Sequence, residues 1–408
     1  MKTLFKNESF FLKKFIEILD QGMIPLEIID TSGNRYSTAR EGIQHKIYIK
    51  DRKFFHALIS PNAFSLGEAY IKGYFDISGS IQELYELACT QLLHKDQRKN
   101  LMQYFTRFFS NPKSKEKENI EYHYNVPSDF YRSFLGETMG YTSGYYTDEK
   151  TRMDDAQIEK MDIICRKLRL KPDEALLDIG CGWGNVAVFA AKEYGVNVTG
   201  ITLSSEQKNY AESWIAKEGL SRKIKIKIQN YRDLGTEKYD KISCVGMSEH
   251  VGKKNMYRFF QTVYRSLRKG GLFMQHTITS NQKIKKGYEN TFLNKYMFPG
   301  GELMFEHDLI ELASSSGFEL LTAENLRTHY IKTLNDWITR MEEHREILLK
   351  IVSDKIYRIF HIFFIGSLIS FKDKEISLFQ NLFYKTDDKN TGTDNFISLY
   401  SKNETRIA

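Results

Sequence analysis

A chain of 408 residues, 41% hydrophobic and 27% charged, has the composition of an ordinary soluble protein and the length for a large core, divided into two domains rather than one. Four widely separated cysteines, Cys89, Cys165, Cys181 and Cys244, lack the paired spacing of a zinc site and point to a reduced, cytoplasmic protein. The net charge of +7 suits nucleic acid or an anionic bilayer; with no zinc-finger spacing, glycine-rich RNA-binding signature or internal repeat, nucleic acid is the weaker partner.

The opening "MKTLFKNESFFLKKFIEILDQ" is interrupted by charges and is not read as a signal peptide. Residues 1–94, with the apolar segments "KIYIK" and "FFHALI" and the helical "IQELYELACTQLL", suggest a small α/β domain. Residues 95–121 alternate basic residues with Tyr104, Phe105, Phe108 and Phe109 and end in a polar run containing Pro112. This stretch is the expected boundary, a helix and linker able to touch a membrane.

Residues 122–408 form the expected second domain. "AQIEKMDIICRKLRL" has helical spacing, "ALLDIG" reads as a strand, "GNVAVFAAKEYG" as a helix and "VNVTGITL" as a strand. Another helix follows in "SSEQKNYAESWIAKEGL", with Ser caps, and further strands in "KIKIKIQNY", "YDKISCVGM" and "GGLFMQHTI". The alternation predicts a mostly parallel sheet covered on both faces, binding its ligand at the carboxyl ends of the strands. Near the end, "IYRIFHIFFIGSLISF" is too short to span a bilayer and contains Arg358 and His361, so a buried helix or lipid-facing surface is expected.

In "DIGCGWGN", Gly180, Gly182 and Gly184 turn a strand into a helix, which permits positive φ and close ligand approach, with Asp178 placed to organise the bend. A generic turn, a dinucleotide site and another nucleotide cofactor all fit. A P-loop is disfavoured because no Lys-Ser/Thr pair follows, and Thr202 and Leu203 stand where a ribose-binding acid is expected, which weakens NAD. Gly180, Gly182, Thr202, Leu203, Gln207, Asn230 and Tyr231 are the positions expected to border such a cofactor.

The blocks "YHYNVPSDFYRSFLGETMGYTSGYY", "DDAQIEKMDIICRKL", "LLDIGCGWG", "GITLSSEQ", "YRDL", "VGMSEHVG", "NKYMFPGG" and "HYIKTLNDW" together resemble cyclopropane-fatty-acyl-phospholipid synthases, most strongly over residues 122–380. The resemblance implies a Rossmann-like methyltransferase sheet that binds S-adenosylmethionine, a smaller amino-terminal α/β lipid-binding domain, and a homodimer. The implied reaction is methyl transfer to the cis double bond of an unsaturated phospholipid acyl chain, preferably in an anionic membrane, followed by ring closure. A cytoplasmic protein transiently associated with the inner face of the cell membrane would suffice.

The resemblance further implies bicarbonate as proton acceptor, held by Ser143, Glu249, His276, Ile278 (through its backbone) and Tyr330, and adds Tyr141 and Ser143 near the methionyl end of the cofactor. Glu249, His276 and Tyr330 are the catalytic candidates, direct proton removal by Glu249 or His276 is an alternative, and His250 is placed behind them. Tyr141, Tyr145, Tyr146, Phe298 and Tyr330 are candidates for an enclosure around a carbocation, and Ile356, Phe360, Phe363, Phe364 and Ile365 for lining or bracing an acyl passage. Neither His123, His276 and His329 nor the chemistry calls for a metal. Ser143 and Ser367 stand where the family commonly has cysteine, which argues against essential thiol chemistry. Methyl-branched lipid formation, amine methylation and a non-enzymatic membrane-binding or RNA-associated module are the competing readings.

Overall fold

The computed structural model describes residues 8–20, 25–39, 41–59, 63–91, 126–282, 296–297 and 302–386. The expected boundary at 95–121, with its aromatics, and also His123 and Phe298, lie outside the described residues.

The amino-terminal residues build a smaller α/β subdomain from α1 (Glu8–Asp20), β1 (Leu26–Ile29), β2 (Arg35–Ser37), β3 (His45–Ile49), α2 (Phe54–Ile59), α3 (Ala63–Ile71), β4 (Phe75–Ser78) and α4 (Ile81–Gln91). Its sheet runs β2-β1-β3-β4, with β1 and β3 parallel and both outer pairs antiparallel. Strand β3 buries His45, Ile47 and Ile49 while Tyr48 faces out, the period of two expected of a half-buried strand.

After α5 (Ser128–Leu135) and α6 (Met153–Lys167) the alternating region begins. It comprises β5 (Ala175–Ile179), α7 (Asn185–Tyr194), β6 (Asn197–Thr202), α8 (Ser205–Lys217), β7 (Ile224–Ile228), β8 (Tyr239–Val245), α9 (Lys253–Ser266) and β9 (Leu267–Ser280). The chain closes with α10 (Glu306–Ser315), β10 (Glu319–Asn325), α11 (Arg327–Glu343), α12 (Arg345–Ile351), α13 (Asp354–Lys372) and β11 (Ile376–Tyr384). The large sheet has the order β10-β11-β9-β8-β5-β6-β7, parallel from β9 to β7 and antiparallel at β10 and β11. Strands β10 and β11 add to the expected set; the reading from sequence ended the sheet at β9.

Alternation along β5 divides the core between the two faces: Leu176 packs with Val198, Ile226 and Met274, whereas Leu177 and Ile179 pack with Ile242, Phe273 and Phe383 on the other side. From β5 the chain moves outward through β6 and β7, then returns to β8 on the opposite flank. This reversal leaves a crevice at the carboxyl ends of β5 and β8, the position that such sheets use for ligands.

Helix α13 joins the two parts of the molecule. Phe360 and Phe364 pack on α5, with ring centroids 4.9 Å from Phe130 and 5.4 Å from Phe134, while Ile362 faces the amino-terminal subdomain. Arg358 reaches across with Nη1 donating to Tyr70 O at 3.2 Å and Phe75 O at 3.1 Å, and pairs with Asp76. These late aromatics brace the core; Ile356 and Phe363 are only partly buried against it. No described helix is long and apolar enough to cross a membrane.

Candidate active site

An open cleft with about 920 Å³ of empty space lies at the crevice. Its wall gathers Tyr141, Gly180, Gly182, Thr202, Leu203, Gln207, Asn230 and Tyr231, all the expected cofactor positions except Ser143. Thr202 Oγ1 donates to Gln207 Oε1 at 2.7 Å, which ties the end of β6 to the first turn of α8. Asn230 accepts from Arg232 N–H at 2.9 Å and so caps the short turn Tyr231–Asp233 on the opposite wall.

The glycine bend supplies clearance. Gly180 has φ +78°, and a Cβ there would lie 2.6 Å from Met247 Cβ. Gly180→Ala is therefore expected to cost about 1–3 kcal/mol, from left-handed backbone strain and overpacking. It is also expected to weaken S-adenosylhomocysteine binding by at least about 10-fold, an effect of the size that lost complementarity gives. Thermal denaturation and calorimetric titration measure the two effects.

Three amides of the bend are engaged within the fold itself. Gly180 and Cys181 N–H both donate to Ile201 O, at 2.9 and 3.0 Å, and Gly184 N–H donates to Cys181 O at 2.9 Å. A buried turn satisfies its own backbone first, which leaves these positions to act by shape. Asp178, expected to organise the bend, instead ties β5 to β8: its Oδ1 accepts from Ser243 Oγ at 2.8 Å, and burial pushes its pKa up to about 6.

A polar cluster lies beside the cleft, where the ends of β8 and β9 meet. Glu249 follows β8 in a single short turn, and its Oε1 accepts from Ile278 N–H at 2.8 Å. Its Oε2 is buried with no hydrogen-bond partner, and burial pushes its pKa up to about 7. The Ile278 N–H is thus engaged by Glu249. His276, two residues earlier and on the same face of β9, bonds through Nδ1 to Gln380 Nε2 at 3.1 Å, while its buried Nε2 has no partner. Burial, then Lys160 and Lys167, hold the His276 pKa well below its ordinary value.

Tyr330 stands in the first turn of α11, which Leu326 pins to β11 by donating its N–H to Leu378 O at 2.8 Å; Leu378 is the cross-strand partner of Ile278. The Tyr330 ring packs 4.7 Å from Phe371 and 6.1 Å from Trp337, and Trp337 packs 5.4 Å from Tyr141. Ser143 is fully buried and its hydroxyl donates to Gly144 O at 2.8 Å, while Gly144 N–H donates to Thr333 Oγ1 at 3.0 Å. The side chain of Ser143 is thereby committed to the loop, and only its backbone is left for the role expected of it.

Tyr145 and Tyr146 stand back from the cleft. The Tyr145 hydroxyl donates to Glu324 and its ring stacks on His329, while the Tyr146 hydroxyl donates to Asp336. His250, expected behind the site, lines the cleft wall, and burial lowers its pKa to about 4. Met139, Trp183, Gln229 and Met247 also line the wall without having been singled out from sequence.

Lys160 was missed as well: it is fully buried, with Nζ donating to Thr142 Oγ1 at 2.9 Å and Gln157 Oε1 at 2.6 Å. The signal was present in "DDAQIEKMDIICRKL", where Gln157, Lys160 and Lys167 fall on the apolar stripe of an amphipathic helix. Among the described residues no group of three or more His, Cys, Asp or Glu could hold a metal.

Residues 111–381 match the family described as mycolic acid cyclopropane synthetase, and residues 11–95 match a domain of unknown function. A Pseudomonas putida protein named "Probable fatty acid methyltransferase" is 34% identical over 370 residues, covering 89% of this chain and 92% of its own. The cyclopropane-fatty-acyl-phospholipid synthase of Escherichia coli (strain K12) is 32% identical over 347 residues, covering 83% and 87%. The crystal structure of mycolic acid cyclopropane synthase CmaA1 complexed with SAH and CTAB superposes with a TM-score of 0.63 at 29% identity, covering 67% of this chain and 98% of that one. The chain belongs to the family of cyclopropane-fatty-acyl-phospholipid and mycolic acid cyclopropane synthases, and it is an S-adenosylmethionine-dependent methyltransferase.

Proposed function

We propose that the protein methylates the cis double bond of an unsaturated phospholipid acyl chain and closes a cyclopropane ring, with bicarbonate as the proton acceptor. The observation that carries this reading is the pair of buried, unpartnered polar atoms beside the cofactor cleft, Glu249 Oε2 and His276 Nε2. Buried polar groups are hydrogen-bonded, so these two orphans, near the ends of adjoining strands, ask for a small polar guest. Bicarbonate has an O–H for the carboxylate and an oxyanion for the imidazole.

Bound S-adenosylmethionine supplies an electrophilic methyl group, and bound bicarbonate supplies a basic oxygen. An isolated alkene is a weak nucleophile, so the protein's contribution is alignment of the acyl chain at the cleft. Methyl addition leaves a carbocation on the chain, and loss of a proton from the added methyl closes the ring. Tyr141, Tyr330 and Trp337 offer π-faces toward such a charge while keeping water out. Glu249, as a carboxylate, would hold the anion by accepting its hydrogen bond, His276 and Tyr330 would donate to it, and the Ser143 backbone would border it. Direct proton removal by Glu249 is the simpler alternative.

Lipid engagement by the amino-terminal subdomain is supported by an open apolar groove lined by Phe15, Phe54, Leu66, Tyr70, Leu84 and Ile362 among others. Transient contact of the protein with an anionic membrane surface would deliver the acyl chain. A second reading, an unsaturated methyl-branched lipid, draws on the name of the Pseudomonas putida relative.

Incubation with S-adenosylmethionine, bicarbonate and vesicles of cis-monounsaturated phospholipid is expected to give acyl chains heavier by one CH₂ that match a cyclopropane standard in chromatography and mass spectrometry. A methyl-branched alkene has the same mass, so co-elution with the standard decides. A product that gains CH₂ but separates from the standard would establish the second reading instead.

A further inference from the structure

Three strands set a row of side chains abreast next to the cleft. Glu324 on β10 is the cross-strand partner of Gln380 on β11, and Gln380 is the partner of His276 on β9. Directly opposed residues of antiparallel strands project to one face, so the three side chains are neighbours. Lys167 of α6 covers the row: its Nζ pairs with Glu324 Oε2 and donates to Gln380 Oε1 at 2.8 Å. Gln380 Nε2 then reaches His276 Nδ1 at 3.1 Å. Gln380 is fully buried and His276 almost so, which shields these bonds from bulk water.

The donor and acceptor roles follow in order. An ammonium only donates, so the Gln380 oxygen must face Lys167 and the amide nitrogen must face His276. That nitrogen also only donates, so His276 Nδ1 must accept with its lone pair. The proton of the neutral ring is thereby on Nε2, the atom that is buried without a protein partner. A doubly protonated ring would turn an Nδ1–H against the Gln380 NH₂. Burial and the charges of Lys160 and Lys167 disfavour that cation further.

We infer that Lys167 and Gln380 are positioning residues that fix His276 as its Nε2–H tautomer, making it a hydrogen-bond donor to the bound anion and barring it from acting as the proton acceptor. The anion's identity rests on the function proposed above, whereas the tautomer is a property of the protein alone. Of the two alternatives for direct proton removal, the relay eliminates His276 and leaves Glu249.

Histidine-selective ¹⁵N labelling of the full chain reads the tautomer without substrate, with the His276 resonances assigned by their loss in His276→Gln. The expected spectrum has a protonated Nε2 and an unprotonated, imine-type Nδ1. Gln380→Glu places a carboxylate at Nδ1 while retaining a partner for Lys167, so the ring should flip to Nδ1–H. Turnover should then fall on the order of 10²-fold, the loss expected when one donor to a developing or bound anion is removed. A wild-type ring protonated on Nδ1, or a Gln380→Glu ring still protonated on Nε2, overturns the inference. Should Gln380→Glu fail to fold, Lys167→Met, which releases the Gln380 amide to turn, should show both tautomers, and a single Nε2–H form there would overturn it. Bicarbonate added to the wild type should shift the Nε2–H resonance; an unmoved resonance in the correct tautomer would remove bicarbonate from the proposed function and leave the relay intact.

Discussion

Glu249→Gln is expected to lower turnover by on the order of 10²- to 10⁴-fold, the range for loss of an acid–base or anion-holding group, while S-adenosylmethionine binding survives. Glu249 is not part of the cofactor cleft wall, so the binding step is spared. The substitution is nearly isosteric, and the Ile278 N–H still demands an oxygen at Oε1. The amide nitrogen must then occupy the Oε2 position, which converts an acceptor for the proposed anion into a donor. In the wild type, kcat/KM should fall as pH is lowered through about 7, where the buried carboxyl protonates, provided that bicarbonate is held at one concentration throughout.

The same group leaves a signature in stability. Its folded pKa of about 7 is raised above an unfolded value of about 4.3, so the native state binds the extra proton between those two values. The stability this proton contributes is full below about pH 4.3 and is lost as pH rises to about 7. Glu249→Gln cannot ionise, so its thermal midpoint should exceed that of the wild type above pH 7. Lower activity together with higher stability would separate a functional carboxylate from a structural one.

The parallel half of the sheet and part of the cofactor wall were legible in the sequence because both obey local rules. The strand "ALLDI" puts Leu176 and Leu177 on opposite faces, and Gly180 after it is required where a Cβ would strike Met247. Strand β11 escaped notice because Gln380 and Asn381 interrupt its apolar run, although both are fully buried. Polar residues inside an apolar strand read as a defect until their partners are known, and the partners of Gln380 lie on α6 and β9, far along the chain. Tyr145 and Tyr146 do not line the cleft, because their hydroxyls are drawn to Glu324 and Asp336, partners that the sequence around Tyr141 does not display. Motif resemblance located Glu249, His276 and Tyr330, but the proton positions that define their roles come from second partners that no motif displays.

Lys160→Met is the sharpest test of how the cluster is assembled, because it should stabilise the fold and impair the reaction at once. Lys160 is fully buried, its two partners Thr142 and Gln157 are neutral, and burial alone drives its pKa down to about 7. Its unfolded pKa is about 10.4, so the unfolded chain binds the extra proton across the interval between them. Wild-type stability from this residue is therefore complete above about pH 10.4 and is lost as pH falls to about 7. Methionine keeps the length and removes the charge. At pH 6 the variant should be more stable by about 1–4 kcal/mol, the range seen when buried charges give way to well-packed apolar groups, and the difference should shrink as pH is raised toward 10. The amine is already half neutral at about pH 7, and no carboxylate is among the influences on its ionisation, so a bound anion would restore its charge. Its field already reaches His276, so an anion held at His276 Nε2 would be the counter-charge. Lys160→Met should accordingly raise the KM for bicarbonate far more than it lowers kcat at saturating bicarbonate, and an unchanged KM would place the lysine outside the anion site.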